Sequence, residues 1–312
     1  MRHILAAEQF DKAQLAELFV QADQFRLTDQ VIADRREVMQ RHFGRIMLSM
    51  FYEPSTRTRF SFGIAARKLG IAVEGTENAA EFSSAAKGES IEDTIRVFNE
   101  YGVDVINLRT KEEGHANRAA SVSNVAIING GDGKAEHPTQ AVLDVYTIQN
   151  ELGQLGDLRV VIGGDLANGR TARSLALLLS IYSGNHISFV STPELQIGDD
   201  IKAKLTENGT KFEETAEMYD AIREANVVYW TRLQLERLQE DERLSVGQDR
   251  FVLDSIALEI LPQEAIIMHP LPRQEEIPAS TDADPRAKYF RQAGNGLYVR
   301  MAMLDDIVSE LP

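Results

Sequence analysis

Short strand-like runs alternate with segments of helical periodicity along almost the whole chain, and this alternation is the strongest constraint on the fold. The predicted strands cover residues 46–52, 71–74, 103–108, 125–129, 158–163, 186–190, 225–230 and 265–268. Apolar runs separated by helices are typical of parallel strands that are buried on both faces. We therefore predict an α/β protein with doubly wound parallel sheets.

The alternation restarts near residue 150, where the polar sequence Gly-Gln-Leu-Gly interrupts it at residues 153–156. The length of 312 residues also suits about two domains. We predict two doubly wound α/β domains, formed by residues 1–150 and 151–285. A C-terminal helix within about residues 286–312 is predicted to return to the first domain.

Local patterns add four further expectations. Apolar residues at three- and four-residue steps predict an amphipathic helix over residues 6–26. Residues 78–90 are small, polar and weakly patterned, which predicts an exposed loop. Ser90 opens the next helix in a capping pattern with Asp93. Apolar spacing predicts a last helix over residues 296–311.

Composition excludes several functional classes. The chain contains no cysteine, which excludes disulfides, a thiol nucleophile and a cysteine-based zinc site. A formal net charge of −15 argues against a nucleic-acid partner. No apolar run is long enough for a membrane span, and the N-terminal stretch does not resemble a secretory signal, so we predict a cytoplasmic protein. The scattered histidines and the glycine spacings predict neither a metal site nor a cofactor.

The stretch FYEPSTRTRFSF, residues 51–62, places hydroxyl groups around a guanidinium where a strand ends and a helix begins. Backbone N–H groups and the positive end of the helix dipole make such a position an anion site. Ser55, Thr56 and Thr58 can donate to anion oxygens, and Arg57 can bind two oxygens at once. The plainer alternative is a helix N-cap beside one surface arginine.

Other candidate site residues also follow predicted strands, namely Arg109, His137, Gln140, Arg170, Arg232, Gln234, Leu271 and Pro272. Ligands of open α/β sheets bind beyond the carboxyl ends of the strands, so the ligand edges of both domains can face one cleft. Taken alone, each arginine is more often a surface charge, and His137 is more often a turn histidine. Cations concentrated locally on an acidic chain predict small anionic ligands.

FYEPSTRTRFSF resembles the carbamoyl-phosphate motif of the aspartate and ornithine carbamoyltransferases, which transfer a carbamoyl group to an amine. The resemblance continues in order through SSAAKGES, HPTQ, GDLANGRTARSL, TRLQLER and HPLPR. HPLPR is similar to the aspartate-type signature, and the cysteine typical of ornithine-type members is missing. The resemblance implies carbamoyl transfer from carbamoyl phosphate to L-aspartate, giving N-carbamoyl-L-aspartate and phosphate in de novo pyrimidine biosynthesis.

The resemblance also implies roles for individual residues. Carbamoyl phosphate is expected to contact Ser55, Thr56, Arg57, Thr58, Arg109, His137, Gln140, Leu271 and Pro272. Aspartate is expected to contact Lys87, Arg170, Arg232 and Gln234. The expected catalytic residues are Arg57, Thr58, Lys87 and His137.

A loop containing Ser83 and Lys87 is similar to the family's mobile loop, which reaches the active site of a neighbouring subunit. The resemblance therefore implies a homotrimer with shared sites, and it leaves open whether regulatory chains bind. It further implies that Glu53 pairs with Arg170 and Arg237 when the domains close.

Two alternatives remain at this stage. A carbamoyltransferase acting on ornithine shares the family, but Arg170 and Arg232 would repel a cationic substrate end. A non-catalytic anion-binding protein could use the same cleft, and it would need neither His137 nor Lys87.

Overall fold

A computed structural model describes residues 3–234 and 251–311 of the chain. These residues form nine strands, all of them in parallel pairs. The strands are β1 (Ile46–Phe51), β2 (Ala72–Thr76), β3 (Val105–Thr110), β4 (Ala126–Asp132), β5 (Arg159–Gly163), β6 (His186–Val190), β7 (Lys211–Thr215), β8 (Val227–Trp230) and β9 (Ile266–Met268).

Helices connect these strands. Over the described residues they are α1 (Lys12–Thr28), α2 (Ile32–Val38), α3 (Thr56–Lys68), α4 (Ala79–Phe82), α5 (Ile91–Glu100), α6 (His115–Val122), α7 (Pro138–Leu152), α8 (Arg170–Ser180), α9 (Asp199–Glu207), α10 (Met218–Ile222), α11 (Ser255–Ile260) and α12 (Tyr289–Ser309). Short 3-10 turns cover Ala7–Gln9, Ser84–Lys87, Pro193–Leu195 and Ala279–Ala283. None of the described helices is long and apolar enough to cross a membrane.

The chain divides into two compact units. Unit 1 consists of Met1–Leu143 together with Gly294–Pro312, and unit 2 consists of Asp144–Ala293. The C-terminal segment therefore belongs to the same unit as the N-terminal strands. This confirms the predicted return of the last helix.

Unit 1 contains a four-stranded sheet in the order β2-β1-β3-β4. The central pair β1 and β3 is aligned from Met47↔Val105 to Phe51↔Arg109. One sheet face packs in an apolar cluster that includes Ile95, Ile106 and Ile127. Strands β3 and β4 are buried along their whole length, as is usual for parallel sheets that helices cover, whereas the edge strand β2 is largely exposed.

Unit 2 contains a five-stranded sheet in the order β7-β6-β5-β8-β9. Its core includes Val161, Val228, Trp230 and Ile267, all of them buried. Trp230 donates from Nε1 to the carbonyl oxygen of Phe251 at 2.7 Å, so the polar N–H of the buried indole has a hydrogen-bond partner.

The predicted α/β class with two parallel sheets is confirmed. Residues 78–90 are exposed or half-buried apart from Ala79, as expected of a surface segment, but they are not a loop, because α4 and a 3-10 turn occupy most of them. The helix predicted from residue 6 begins only at Lys12, where Asp11 caps it. Strand β7 was not predicted, because its sequence KFEET is polar and its exposure is that of an edge strand.

Replacing Gly163 by alanine tests the packing of unit 2. A Cβ at this position would lie 2.3 Å from Cζ3 of Trp230, on the neighbouring strand. We expect Gly163→Ala to lower the free energy of unfolding by about 1–3 kcal/mol, the usual cost of overpacking. Chemical denaturation at fixed protein concentration measures this change.

Gly294→Ala is the matched control, because a Cβ there meets no atom within 4 Å and the residue lies inside α12. We expect this variant to be as stable as the wild type, or more stable by up to about 1 kcal/mol from helix propensity. Equal stabilities of the two variants would contradict the packing described here.

Candidate functional site

In each sheet, the strand that comes first in the chain has later strands on both of its sides. In unit 1, β2 lies on one side of β1 and β3 on the other. In unit 2, β6 and β8 flank β5 in the same way. The loops that leave such neighbouring strands diverge and open a crevice at the carboxyl ends, where open α/β sheets bind ligands. Unit 1 and unit 2 therefore each contain one candidate binding edge.

The predicted site residues of unit 1 are called here the N-terminal cluster: Ser55, Thr56, Arg57, Thr58, Arg109, His137 and Gln140. Those of unit 2 are called the C-terminal cluster: Arg170, Arg232, Gln234, Leu271 and Pro272.

The start of α3 is left open for a ligand. Ser55 occupies the N-cap position with φ −154° and ψ 102°, but its side chain makes no capping hydrogen bond. In the same unit, Asp11 accepts from the backbone N–H of Gln14 at 2.8 Å and Ser90 from that of Asp93 at 3.1 Å. Ser55 is therefore the N-cap residue by position, but its side chain makes no bond to the first N–H groups of α3.

Arg57 and Thr58 follow in the first turn of α3. The Arg57 residue is exposed, yet its surroundings partly desolvate the guanidinium and lower its pKa below the ordinary value. Thr58 is only 5% exposed, and its Oγ1 lies 3.4 Å from Nε2 of His137. His137 precedes α7 and is also buried, so these two side chains are fixed beside each other.

Arg109 lies at the carboxyl end of β3 and is 9% exposed. Its Nη1 donates to the carbonyl oxygen of Gly130 at 3.0 Å, and its Nη2 lies 2.7 Å from Oε2 of Glu53. These contacts orient a buried cation at the switch point between β1 and β3. The implied partner Arg237 of Glu53 lies outside the described residues.

Gly130, which the sequence analysis did not single out, holds Arg109 in place, and Asn107 leaves no room for a side chain at that position. Gly130 provides the carbonyl that Arg109 contacts, and a Cβ on Gly130 would lie 2.7 Å from Oδ1 of Asn107 and 3.5 Å from Cγ2 of Thr58. Asn107 is fully buried on β3. Gly130 directly follows the predicted strand over residues 125–129 and lies within the observed β4, and a glycine at a strand end is the signal that could have indicated this close approach.

Ser83 and Lys87 lie on the segment that leads into α5. Ser83 caps the 3-10 turn, where its Oγ accepts from the backbone N–H of Ala85 at 3.2 Å and donates to the carbonyl of Ala79. Lys87 ends this turn with an exposed side chain. Ser83 thus stabilises its own turn, and the side chain of Lys87 is exposed.

The C-terminal cluster is organised by a buried carboxylate. Asp165 follows β5 and accepts from the backbone N–H of Asn168 at 3.0 Å and from that of Gln234 at 3.3 Å. Gln234 also donates from Nε2 to the carbonyl of Asn168 at 3.1 Å. These bonds hold the segment after β8 against the loop that leads into α8.

Arg170 is the first residue of α8, and Gly169 at the N-cap has no side chain with which to cap it. Arg170 is half-buried, as is Arg232 just after β8. Arg232 donates from Nη1 to the carbonyl of Leu233 at 3.4 Å. Asp165 thus connects the segment that contains Arg232 to the loop before Arg170. Both arginines follow strands of the same sheet, at the carboxyl ends of β8 and β5.

Leu271 and Pro272 follow β9. Leu271 has φ +56°, and the Leu271–Pro272 peptide bond is cis. His269, part of the HPLPR segment, forms hydrogen bonds with both ring nitrogens. Arg273 is held by Asp282, which its Nη2 contacts at 2.7 Å, so this arginine anchors the loop.

Among residues 3–234 and 251–311, no group of three or more His, Asp or Glu side chains is arranged to hold a metal ion. The charged groups of the two clusters are predominantly cationic. Their arrangement suits anions with several oxygens.

Comparisons with known proteins point in the same direction. Residues 2–150 match the family model for the aspartate/ornithine carbamoyltransferase carbamoyl-P binding domain. Residues 156–307 match the model for the Asp/Orn binding domain of the same family.

Similar curated proteins include the chloroplastic aspartate carbamoyltransferase of Oryza sativa subsp. japonica, which is 47% identical over 96% of this chain and 83% of its own length. The aspartate carbamoyltransferase catalytic subunit of Clostridium kluyveri is 39% identical over 97% of this chain and 96% of its own length.

Similar solved structures include the catalytic subunit of M. jannaschii aspartate transcarbamoylase, with a TM-score of 0.87 and 38% identity over 99% of both chains. Another is Trypanosoma cruzi aspartate transcarbamoylase in complex with carbamoyl aspartate and phosphate. Its TM-score is 0.88 and its identity 34%, over 98% of this chain and 96% of that one.

Gly130→Ala tests whether Arg109 and its support bind an anion. The added methyl would meet Asn107 Oδ1 at 2.7 Å and displace the carbonyl that orients Arg109. We expect the affinity for inorganic phosphate to fall about 10-fold, in line with the loss of a charge-assisted hydrogen bond. Isothermal titration calorimetry measures the dissociation constant.

The double variant Gly130→Ala/Asn107→Ala is the control, because removal of the amide makes room for the methyl. We expect it to regain most of the affinity. A folded Gly130→Ala protein with wild-type phosphate affinity would show that this support does not matter for anion binding.

Proposed function

This chain belongs to the aspartate/ornithine carbamoyltransferase family, and we propose how its residues carry out that family's chemistry on L-aspartate. The enzyme transfers the carbamoyl group of carbamoyl phosphate to the amine of L-aspartate, and the products are N-carbamoyl-L-aspartate and phosphate. This reaction serves pyrimidine biosynthesis. The observation that carries the assignment of residues is the uncapped start of α3, which holds Arg57 and Thr58 at the switch point of unit 1.

The N-terminal cluster binds carbamoyl phosphate in this proposal. The open backbone N–H groups of α3, that of Thr58 among them, and the hydroxyls of Ser55 and Thr56 donate to the phosphate oxygens. Arg57 and Arg109 supply the two positive charges that a phosphate dianion requires. Support comes from Arg109, which Glu53 and the Gly130 carbonyl already hold in a fixed orientation.

The carbamoyl group is held by neutral polar groups. The buried His137 and the half-buried Gln140 both belong to the start of α7 and contact the carbonyl and amino ends of that group. The backbone carbonyls of Leu271 and Pro272 accept from the carbamoyl NH₂, because a carbonyl cannot donate.

The C-terminal cluster and Lys87 bind aspartate. Arg170 and Arg232 each pair with a carboxylate, and Gln234 adds a hydrogen bond. Support comes from the half-buried setting of both arginines and from the bonds through which Asp165 holds Gln234. Ornithine would bring a cationic end to the same guanidinium groups, so charge repulsion selects against it.

The neutral amine of aspartate attacks the carbamoyl carbon, so that a C–N bond forms and the carbonyl π electrons move to oxygen in a tetrahedral intermediate. When this intermediate collapses, the C=O bond re-forms and the bond from carbon to the bridging phosphate oxygen breaks. The intermediate places a negative charge on the carbonyl oxygen. Arg57, Thr58 and His137 donate to that oxygen, and fixed donors of this kind contribute on the order of 3 kcal/mol each. The departing phosphate takes the proton that the amine loses.

We further propose a homotrimer in which Ser83 and Lys87 complete the site of a neighbouring subunit. The exposed Lys87 at the end of its turn supports this assignment. Beside it, Phe82 is 78% exposed, as expected for an apolar side chain that another chain covers. The plant relatives are chloroplastic proteins, so the cytoplasmic location stays a prediction.

The first test compares the two possible amine substrates. The purified protein is incubated with carbamoyl phosphate and either L-aspartate or L-ornithine, and the ureido product is measured. We expect product from aspartate alone, because Arg170 and Arg232 favour a dicarboxylate. Product from ornithine alone would refute the assigned substrate.

Arg170→Ala tests the carboxylate site. We expect the KM for aspartate to rise by roughly 10- to 100-fold, since charge-assisted hydrogen bonds contribute about 1.5–3 kcal/mol. Arg173→Ala is the matched control on the same helix, because Arg173 pairs with Asp200. Equal KM values in the two variants would contradict the role of Arg170.

Mixing two inactive variants tests the shared site. Arg57→Ala and Lys87→Ala proteins are dissociated, combined in equal amounts and reassembled. In a trimer with shared sites, random assembly leaves both residues intact in about one quarter of the sites, so we expect about a quarter of the wild-type activity. No recovery in a reassembled trimer would show that each chain supplies its own Lys87.

A further inference from the structure

His269 is a buried histidine whose two ring nitrogens are both engaged. It follows β9 directly and is 2% exposed. Its Nδ1 lies 2.8 Å from the backbone nitrogen of Leu271, and its Nε2 lies 3.0 Å from Oε1 of Glu276. The residue therefore links the segment after β9 to a carboxylate seven positions further along the chain.

The partners fix the tautomer of this ring. A backbone N–H can only donate, so Nδ1 must accept from Leu271 and carry no proton. The single ring proton then lies on Nε2 and is donated to Glu276. His269 is thus neutral in this arrangement.

Glu276 is a stable acceptor for that proton. Burial acts to raise its pKa, but the hydrogen bond from His269 and those from backbone N–H groups outweigh burial and lower the pKa. The backbone N–H of Gln274 donates to the same Oε1 at 2.9 Å. The carboxylate is therefore ionised and oriented before any ligand arrives.

The backbone of His269 is held as firmly as its ring. Its N–H donates to Oε1 of Gln292 at 2.9 Å, and Nε2 of Gln292 donates to Oδ1 of Asp144 at 2.6 Å. The hydroxyl of Tyr229 donates to Oδ2 of Asp144 at 2.8 Å. This chain of buried hydrogen bonds leaves the ring little freedom to move.

Leu271 needs such a fixed acceptor. Its φ of +56° lies in the left-handed region, which is unfavourable for a non-glycine residue. The hydrogen bond from its N–H to Nδ1 offsets part of that cost. The direction of the Leu271 carbonyl depends on this backbone conformation.

We propose that His269 is a positioning residue that aims the Leu271 and Pro272 carbonyls at the carbamoyl NH₂. It acts through the Leu271 backbone and does not touch the substrate. The inference rests on the proposed function, which assigns those two carbonyls to the carbamoyl group.

Two substitutions separate the functions of the two ring nitrogens. In His269→Asn the amide oxygen is attached to Cγ, as Nδ1 is, so it can still accept from Leu271. In His269→Gln the amide nitrogen reaches the position of Nε2, so it can still donate to Glu276, but the acceptor for Leu271 is lost. Each variant thus loses one buried partner.

We expect His269→Gln to raise the KM for carbamoyl phosphate about 10-fold, and His269→Asn to stay near the wild-type value. The inhibition constant of inorganic phosphate should be unchanged in both, because phosphate has no carbamoyl group. If His269 only stabilised the fold, the activities of the two variants would instead fall in the same order as their melting temperatures. Equal KM values in the two variants, or a matching loss of phosphate inhibition, would overturn the proposal.

A measurement on the wild type does not depend on whether a variant folds. ¹⁵N spectra of histidine-labelled protein, with His269 assigned by its missing signal in His269→Asn, should show the neutral tautomer protonated at Nε2. A ring protonated at Nδ1 would overturn the proposal. Absence of ureido product from the wild-type enzyme would instead overturn the proposed function.

Discussion

Helix starts without a side-chain cap are the physical constraint on which both clusters depend. Ser55 makes no capping bond to α3, and Gly169 has no side chain with which to cap α8. Asp11 and Ser90 cap α1 and α5, whereas α2, α6 and α9 also begin without a side-chain cap, so α3 and α8 are distinguished by an arginine among their first two residues. A missing cap costs about 1 kcal/mol, and a bound anion supplies the acceptor that the protein omits.

Acidic side chains orient the cationic sites. Glu53 pairs with Arg109 in unit 1, and the fully buried Asp165 ties Gln234 to the loop before Arg170 in unit 2. A guanidinium alone at a strand end would sample many conformations, and it would lose that freedom on binding. A carboxylate or a carbonyl that holds it beforehand reduces this loss.

Much of the fold was predictable because buried parallel strands are apolar in sequence. The edge strand β7 was not predicted, since its sequence KFEET is mostly polar and its residues are exposed or half-buried. In unit 1 the sequence indicated Arg57, Thr58, Arg109 and His137 because each follows a strand. The contact between Arg109 and the Gly130 carbonyl was not predicted, because it depends on the close approach of two neighbouring strands, of which the glycine itself is the only local sign.

His269 shows the same limit in unit 2. Its acceptor and donor partners lie two, seven and 23 positions away, and no short motif encodes that combination. Residues 78–90 show the opposite error, since weak patterning concealed a helical turn that Ser83 caps. Local sequence thus indicates which side chains carry charge, and tertiary contacts decide which of them are held in place.

Unit 1 is discontinuous, and this has a consequence for biosynthesis. Its N-terminal part bonds to the last helix, where Asp305 contacts His42 at 2.7 Å and Arg300 donates to Ser61 at 2.9 Å. Unit 2 is one uninterrupted stretch, Asp144–Ala293. Domains commonly fold in the order in which the ribosome delivers them. Here unit 2 has all of its residues first, and the unit that begins the chain is the last to be completed.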